Sequence, residues 1–190
     1  MFSLVKLTTF VTITFGAIAA VSAAAVQTKR QSDSLIAILA ELTAQLAPAA
    51  AQLSSLDANN ATAENITPIV SSITSNVQSS QSKISALPTQ DTNFVSSDDV
   101  ASGLNGVFQT VLSPASNVMA LPGVDSAKVG PAFLPLGVVL DGLVIAVFSV
   151  VVDLVVVVKA TLDTLLVGVV HVILDLKFTT LIATLGLGVV

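Results

Sequence analysis

The chain has 190 residues, of which 53% are hydrophobic and 10% charged, with seven Lys and Arg against twelve Asp and Glu and a formal net charge of −5. There is no Cys, Trp or Tyr, and the single histidine is His171. These figures exclude a disulfide scaffold, a cysteine zinc site and a thiol nucleophile. They exclude disorder of the chain as a whole and argue against nucleic-acid binding, because an acidic chain repels phosphate.

Residues 1–23 read as a signal peptide. Lys6 supplies the positive n-region, residues 7–20 form an apolar core too short for a comfortable span, and Val21-Ser22-Ala23 and Ala23-Ala24-Ala25 both offer small residues for a signal-peptidase cut, the first of them placing it after Ala23. Residues 24–30 then form a pro-segment that ends in the dibasic pair Lys29-Arg30, the pattern of a fungal-type secretory processing site. Cutting at both leaves 31–190, with Lys83, Lys128, Lys159 and Lys177 against all twelve acidic residues, a net charge of −8. That mature chain has no Arg, the usual bidentate clamp for phosphate and carboxylate. Small secreted domains normally carry disulfides. Here stability must come from packing or assembly.

The polar half, 31–130, is rich in Ser, Thr, Asn, Gln and Ala, and its apolar residues recur at alternating steps of four and three. Leu35, Leu39, Leu42, Leu46, Ala49, Leu53 and Leu56 form one such line. Ile66, Val70, Ile73, Val77, Ser80, Ile84 and Leu87 form a second. Each puts a narrow apolar stripe on a helix. Pro48 should kink the first helix. Thr67-Pro68 has the form of an N-cap with proline at the first helical position of the second. Ser96 and Asp99 have capping-box spacing and open a third helix through Val100, Leu104, Val107 and Val111, which Ser113-Pro114 bends or ends. Between the first two helices lie two N-glycosylation sequons, Asn60-Ala61-Thr62 and Asn65-Ile66-Thr67, the second followed directly by Pro68. The glycine- and proline-rich stretch 123–135 reads as a linker.

The hydrophobic half, 131–190, is dominated by Val and Leu. Valine favours strands in isolation, yet 143–167 contains no Gly, Pro or Asn, and an unbroken run of that length argues helix. Asp141, Asp153, Asp163 and Asp175, with Ser149, Lys159, Lys177 and His171, fall in less than half of the helical circle at about 100° per residue. A helix here has a thin polar seam and a broad apolar face. All these positions are odd-numbered, so a strand would also gather them on one side. The expected fold class is all-α, with about three amphipathic helices in the polar half and two or more very hydrophobic helices after it.

Chemistry is sparse. His171 and Asp175 are four apart and could touch on a helix, but no G-x-S-x-G nucleophile turn accompanies them. One His and scattered carboxylates form no metal-ligand cluster, and Gly186-Leu187-Gly188 lacks the surroundings of a nucleotide loop. No catalytic, cofactor or metal residues are expected, and the reading is non-enzymatic. Phe178 opens an apolar tail, but Asp175-Leu176-Lys177 before it suits no GPI attachment site.

With its signal peptide, Lys29-Arg30, cysteine-free polar front and Val/Leu-rich rear, the chain resembles small secreted cell-wall proteins of basidiomycete fungi. The front-half stripes are also similar to fungal hydrophobic-surface-binding protein A. True hydrophobins are excluded, since they carry eight cysteines. The resemblance implies a protein of the medium and cell wall that acts alongside hydrophobins in forming aerial hyphae and attaching them to hydrophobic surfaces, with hydrophobic surfaces, wall polymers and further copies of itself as partners. The face expected to adsorb is Leu143, Val147, Val151, Leu154, Val158, Leu162 and Leu165. Rival readings are a wall protein anchored in the membrane by a C-terminal helical hairpin, and a secreted helical carrier of lipid or a small apolar ligand. The valine runs also have the composition to convert to stacked strands on a surface.

Overall fold

The computed structural model describes residues 34–88, 95–168 and 170–186. Among them every regular element is helical and none is a strand. Four long helices come first: α1 (Leu35–Ser54), α2 (Ala63–Ser85), α3 (Ser97–Met119) and α4 (Ser126–Val150). A 3-10 turn (Val152–Leu154), α5 (Val155–Leu165), a second 3-10 turn (Leu166–Gly168), α6 (Val170–Asp175) and α7 (Thr179–Leu185) complete the fold.

Side-chain caps start three of the long helices. Ser34 Oγ accepts from Ala37 N at 3.1 Å, Thr62 Oγ1 from Asn65 N at 3.3 Å, and Asp125 Oδ1 from Ala127 N at 3.1 Å. Each satisfies an amide that the helix ladder leaves open. Ser96 holds the N-cap position of α3 without a side-chain bond, and Asp98 and Asp99 sit in the first turn, where the helix dipole favours negative charge.

Two proline expectations are corrected and a third is narrowed. The second helix opens at Thr62 rather than at Thr67, with Pro68 inside it. Of the two outcomes expected at Ser113-Pro114, an end is excluded: α3 runs on through Pro114 to Met119. The linker expected over 123–135, and with it a boundary at 130/131, is replaced by α4, which runs through Pro131 and Pro135. A helical proline forfeits one hydrogen bond and crowds the carbonyl four residues back, about 3 kcal/mol. Here the helix continues because buried apolar residues lie on both sides: Leu112 and Val118 around Pro114, Val129, Phe133 and Leu136 around Pro131 and Pro135. Breaking the helix would take one side out of the core.

The four long helices run up, down, up and down. Lys83 reaches Glu41 at 3.0 Å and Asn76 Nδ2 donates to Gln45 O, so α2 is antiparallel to α1. Gly103 lies on Leu39 and Gly106 on Thr43, so α3 runs parallel to α1. Met119 lies beside Gly130, and Gln81 Nε2 donates to Val139 O at 3.3 Å, so α4 descends alongside α2. α1 therefore neighbours α2 and α3, and α2 neighbours α1 and α4. The α2–α3 connection crosses the bundle diagonal. The buried lines are those of the four-and-three spacing: Leu35, Leu39, Leu42, Leu46 and Leu53 on α1, then Ile66, Val70, Ile73, Val77 and Ile84 on α2. Both halves of the sequence feed one continuous core.

The expected unbroken helix through 143–167 is divided. α4 stops at Val151, where φ is −117° and ψ 43°, with neither Gly nor Pro at the break. β-branched valines hold a helix weakly, and the turn lets α5 fold back onto α3, burying Val151, Val158 and Leu162. Lys159 Nζ stands 5.4 Å from the Phe148 ring centroid and ties α5 to α4 across the turn. α3 and α4 touch only lightly, because the short rear helices cover that side of the bundle: α5 lies on α3 and α7 on α4.

The join between α6 and α7 is a Schellman turn. Phe178 N donates to Ile173 O and Lys177 N to Leu174 O, with Lys177 in the left-handed region at φ 54°. It delivers Phe178, 3% exposed, onto Gly137 of α4. A Cβ at Gly137 would lie 2.5 Å from Phe178 Cδ1 and 2.7 Å from Cγ. Gly137→Ala gains about 1 kcal/mol of helix propensity but overpacks the ring contact at about 1–3 kcal/mol. It should lower the urea midpoint in the native background and raise it once Phe178→Ala has cleared the space, a sign reversal that a double-mutant cycle reads directly.

Candidate functional site

Five of the seven residues expected to form an adsorbing face lie in the core rather than on the surface. Leu143, Val147 and Val158 are fully buried, Val151 and Leu162 are 1% exposed, and Leu154 is half-buried. Only Leu165, at the end of α5, is exposed. The reason is topological. The reading assumed one long helix with its polar seam outward, and the break at Val151 instead turns these residues inward from two directions, onto α3 and into the bundle.

A different set of apolar side chains faces outward. The large exposed hydrophobics among the described residues are Leu134, Val138 and Ile145 on α4, Val152, Val156 and Val157 around the helix break, and Leu165, Val167 and Leu174 beyond it. None belongs to α1, α2 or α3. Leu134, Val138 and Ile145 stand at steps of four and seven, which holds them within about 40° of one another around the helix and spreads them over roughly 16 Å of its length. Pro131 and Pro135 share this exposed face. Between Pro131 and Val152 the one charged residue is Asp141, at the edge of the strip, and its Oδ1 is buried without a hydrogen-bond partner. Val156 is 82% exposed and Val138 68%, values usual for a lysine or glutamate on an outer helix face.

The exposed faces of α1 and α2 have ordinary polar chemistry, and α2 borders the strip directly, since Ser82 and Ile145 line one cleft. α2 exposes Ser71, Ser72, Ser75, Gln78, Ser79 and Ser82, and α1 exposes Gln45 and Gln52. The Glu41–Lys83 pair, both half-exposed, closes the α1–α2 seam.

The sequons lie at the end of the bundle away from the Val151 break. Asn60 is exposed in the α1–α2 loop, whereas Asn65 lies within the first turn of α2 rather than before it. Ala23, Lys29 and Arg30, the expected processing residues, lie outside the described residues.

His171 and Asp175 are both exposed on α6. With Ser116 of α3 they line a cleft of about 290 Å³, an assembly that sequence spacing gave no means of finding. No hydrogen bond joins the three among the described residues. Ser116 sits in the last turns of a helix, where the backbone amides are spent on the ladder and form no oxyanion hole. Among the described residues no group of three or more His, Cys, Asp or Glu could hold a metal ion.

Among the described residues, two helices, α1 and α4, are long and apolar enough to cross a membrane. In α4, 56% of that segment is buried inside the fold, as befits a core helix with one bare side. No family model matches the chain, and no curated protein or solved structure matches it.

Burial makes the two sets of apolar residues separable by substitution. Val151→Asp with Val158→Asp places two charges in the core and should prevent cooperative folding. Val138→Asp should shift unfolding free energy by no more than about 0.5 kcal/mol, since the side chain already meets water. Urea denaturation followed by circular dichroism checks both.

Proposed function

We propose that the chain is a non-catalytic extracellular amphiphile of the fungal cell wall and surrounding medium, which adsorbs to hydrophobic surfaces and so supports the formation of aerial hyphae and their attachment. The observation that supports this reading is the segregation of large exposed apolar side chains, which among the described residues all lie from Leu134 onward and none on the three polar helices. The signal-like residues 1–23, the dibasic Lys29-Arg30 and the fungal wall-protein resemblance supply the address.

The energetics support adsorption of the folded molecule. Leu134, Val138, Ile145, Val152, Val156 and Val157 are each half to four-fifths exposed. Full burial of a Val or Leu is worth about 1.5–3 kcal/mol, so covering what remains of these six yields roughly 5–10 kcal/mol before ordering costs. The serine-rich flank of α2 meanwhile stays wet. No unfolding is required, which separates this reading from a membrane-spanning one. To cross lipid, α4 would have to leave the bundle and strip Phe133, Leu136, Leu140 and Leu143 from their partners.

Adsorption of the purified chain to a methyl-terminated surface, followed by quartz microbalance, tests this. The native chain should form a layer that resists rinsing, and Val138→Asp with Ile145→Asp should weaken adsorption at least tenfold while its thermal melt stays in place. Equal adsorption by the two proteins overturns the assignment of this face.

A further inference from the structure

We propose that Asn60, and not Asn65, is a site of N-linked glycosylation. The inference rests on the extracellular reading, since the modification belongs to the secretory path, but it is carried by the geometry of the α1–α2 loop.

Residues 57–60 form a closed turn. Asp57 Oδ1 accepts from Asn59 N at 2.8 Å and from Asn60 N at 3.1 Å, and Asn60 Oδ1 accepts from Asp57 N at 2.7 Å. The Asn60 side chain is thus held by its oxygen. Its Nδ2 makes no hydrogen bond among the described residues, and the residue is exposed. Glycosylation consumes that free end. The Nδ2–C1 bond to the sugar forms, the C1–O bond to a polyprenyl-diphosphate oligosaccharide donor breaks, the diphosphate leaves, and one Nδ2 proton is lost. Oδ1 is untouched, so the turn that leads into α2 keeps its bond. The rest of the sequon is compatible with the fold, for Thr62 Oγ1 caps α2 as an acceptor.

Asn65 differs on each point. Its Nδ2 donates to Asn60 O at 2.8 Å and helps fasten the loop to the helix. Its Thr67 hydroxyl donates to Ala63 O at 2.6 Å. Pro68 follows directly, inside α2. The one amide nitrogen is free and the other is part of the structure.

The position also has a directional consequence. The α1–α2 loop lies at the end of the bundle opposite the Val151 break, where Val152, Val156 and Val157 are exposed. A glycan on Asn60 adds hydrophilic bulk at the far end from that apolar cluster.

Translation of the full chain with endoplasmic-reticulum microsomes tests the proposal. The protease-protected chain should carry one glycan, removable by peptide N-glycosidase. The added mass should vanish in Asn60→Gln and persist in Asn65→Gln and in Thr62→Ser, which keeps both sequon and cap. A protected chain of unmodified mass, or added mass that survives Asn60→Gln and vanishes in Asn65→Gln, overturns this inference and leaves the extracellular reading standing. A chain that stays outside the microsomes overturns both.

Discussion

A helix in a bundle can turn only part of its circumference toward the core, and α4 is apolar around nearly all of it. That mismatch governs the arrangement. Phe133, Leu136, Leu140, Leu143 and Val147 fill the inward side, while Leu134, Val138 and Ile145 have no interior left to enter. The short rear helices relieve part of the excess by laying α7 against α4 and α5 against α3. What they leave uncovered is the feature on which the functional reading depends.

With no cysteine and no metal cluster among the described residues, the fold is held by packing. Polar contacts set direction and register more than strength. The Glu41–Lys83 pair is half-exposed and worth at most about 1 kcal/mol. The Gln81–Val139 bond fixes how α2 lies on α4, and Gly137 allows the close approach of Phe178 that closes the rear elements onto the bundle.

The helical class and the three helices of the polar half were legible because Leu, Ile and Val there recur against a Ser, Thr and Gln background, so that period translates into face. Helix ends were harder to read. Thr62 and Thr67 are both followed by plausible first turns, and local spacing does not say which side of Pro68 the core needs. In the rear half the helical class was legible, but the buried face was not. When positions 133–158 are nearly all apolar, periodicity carries no phase, and the inward set and outward set differ only in what packs beside them. The stop at Val151 has no Gly, Pro or cap residue to announce it, since it arises from the gain of laying α5 on α3. The cleft of Ser116 with His171 and Asp175 joins residues more than fifty positions apart and was invisible for the same reason.

The diagonal crossing between α2 and α3 bears on biogenesis. Because α2 is flanked by α1 on one side and by α4 on the other, a chain emerging amino terminus first cannot finish enclosing α2 until some sixty further residues have been made, the separation already spanned by Gln81 and Val139. The hydrophilic segment is therefore no freestanding module. Its interior is closed only when the greasy segment arrives, because both contribute side chains to the same core.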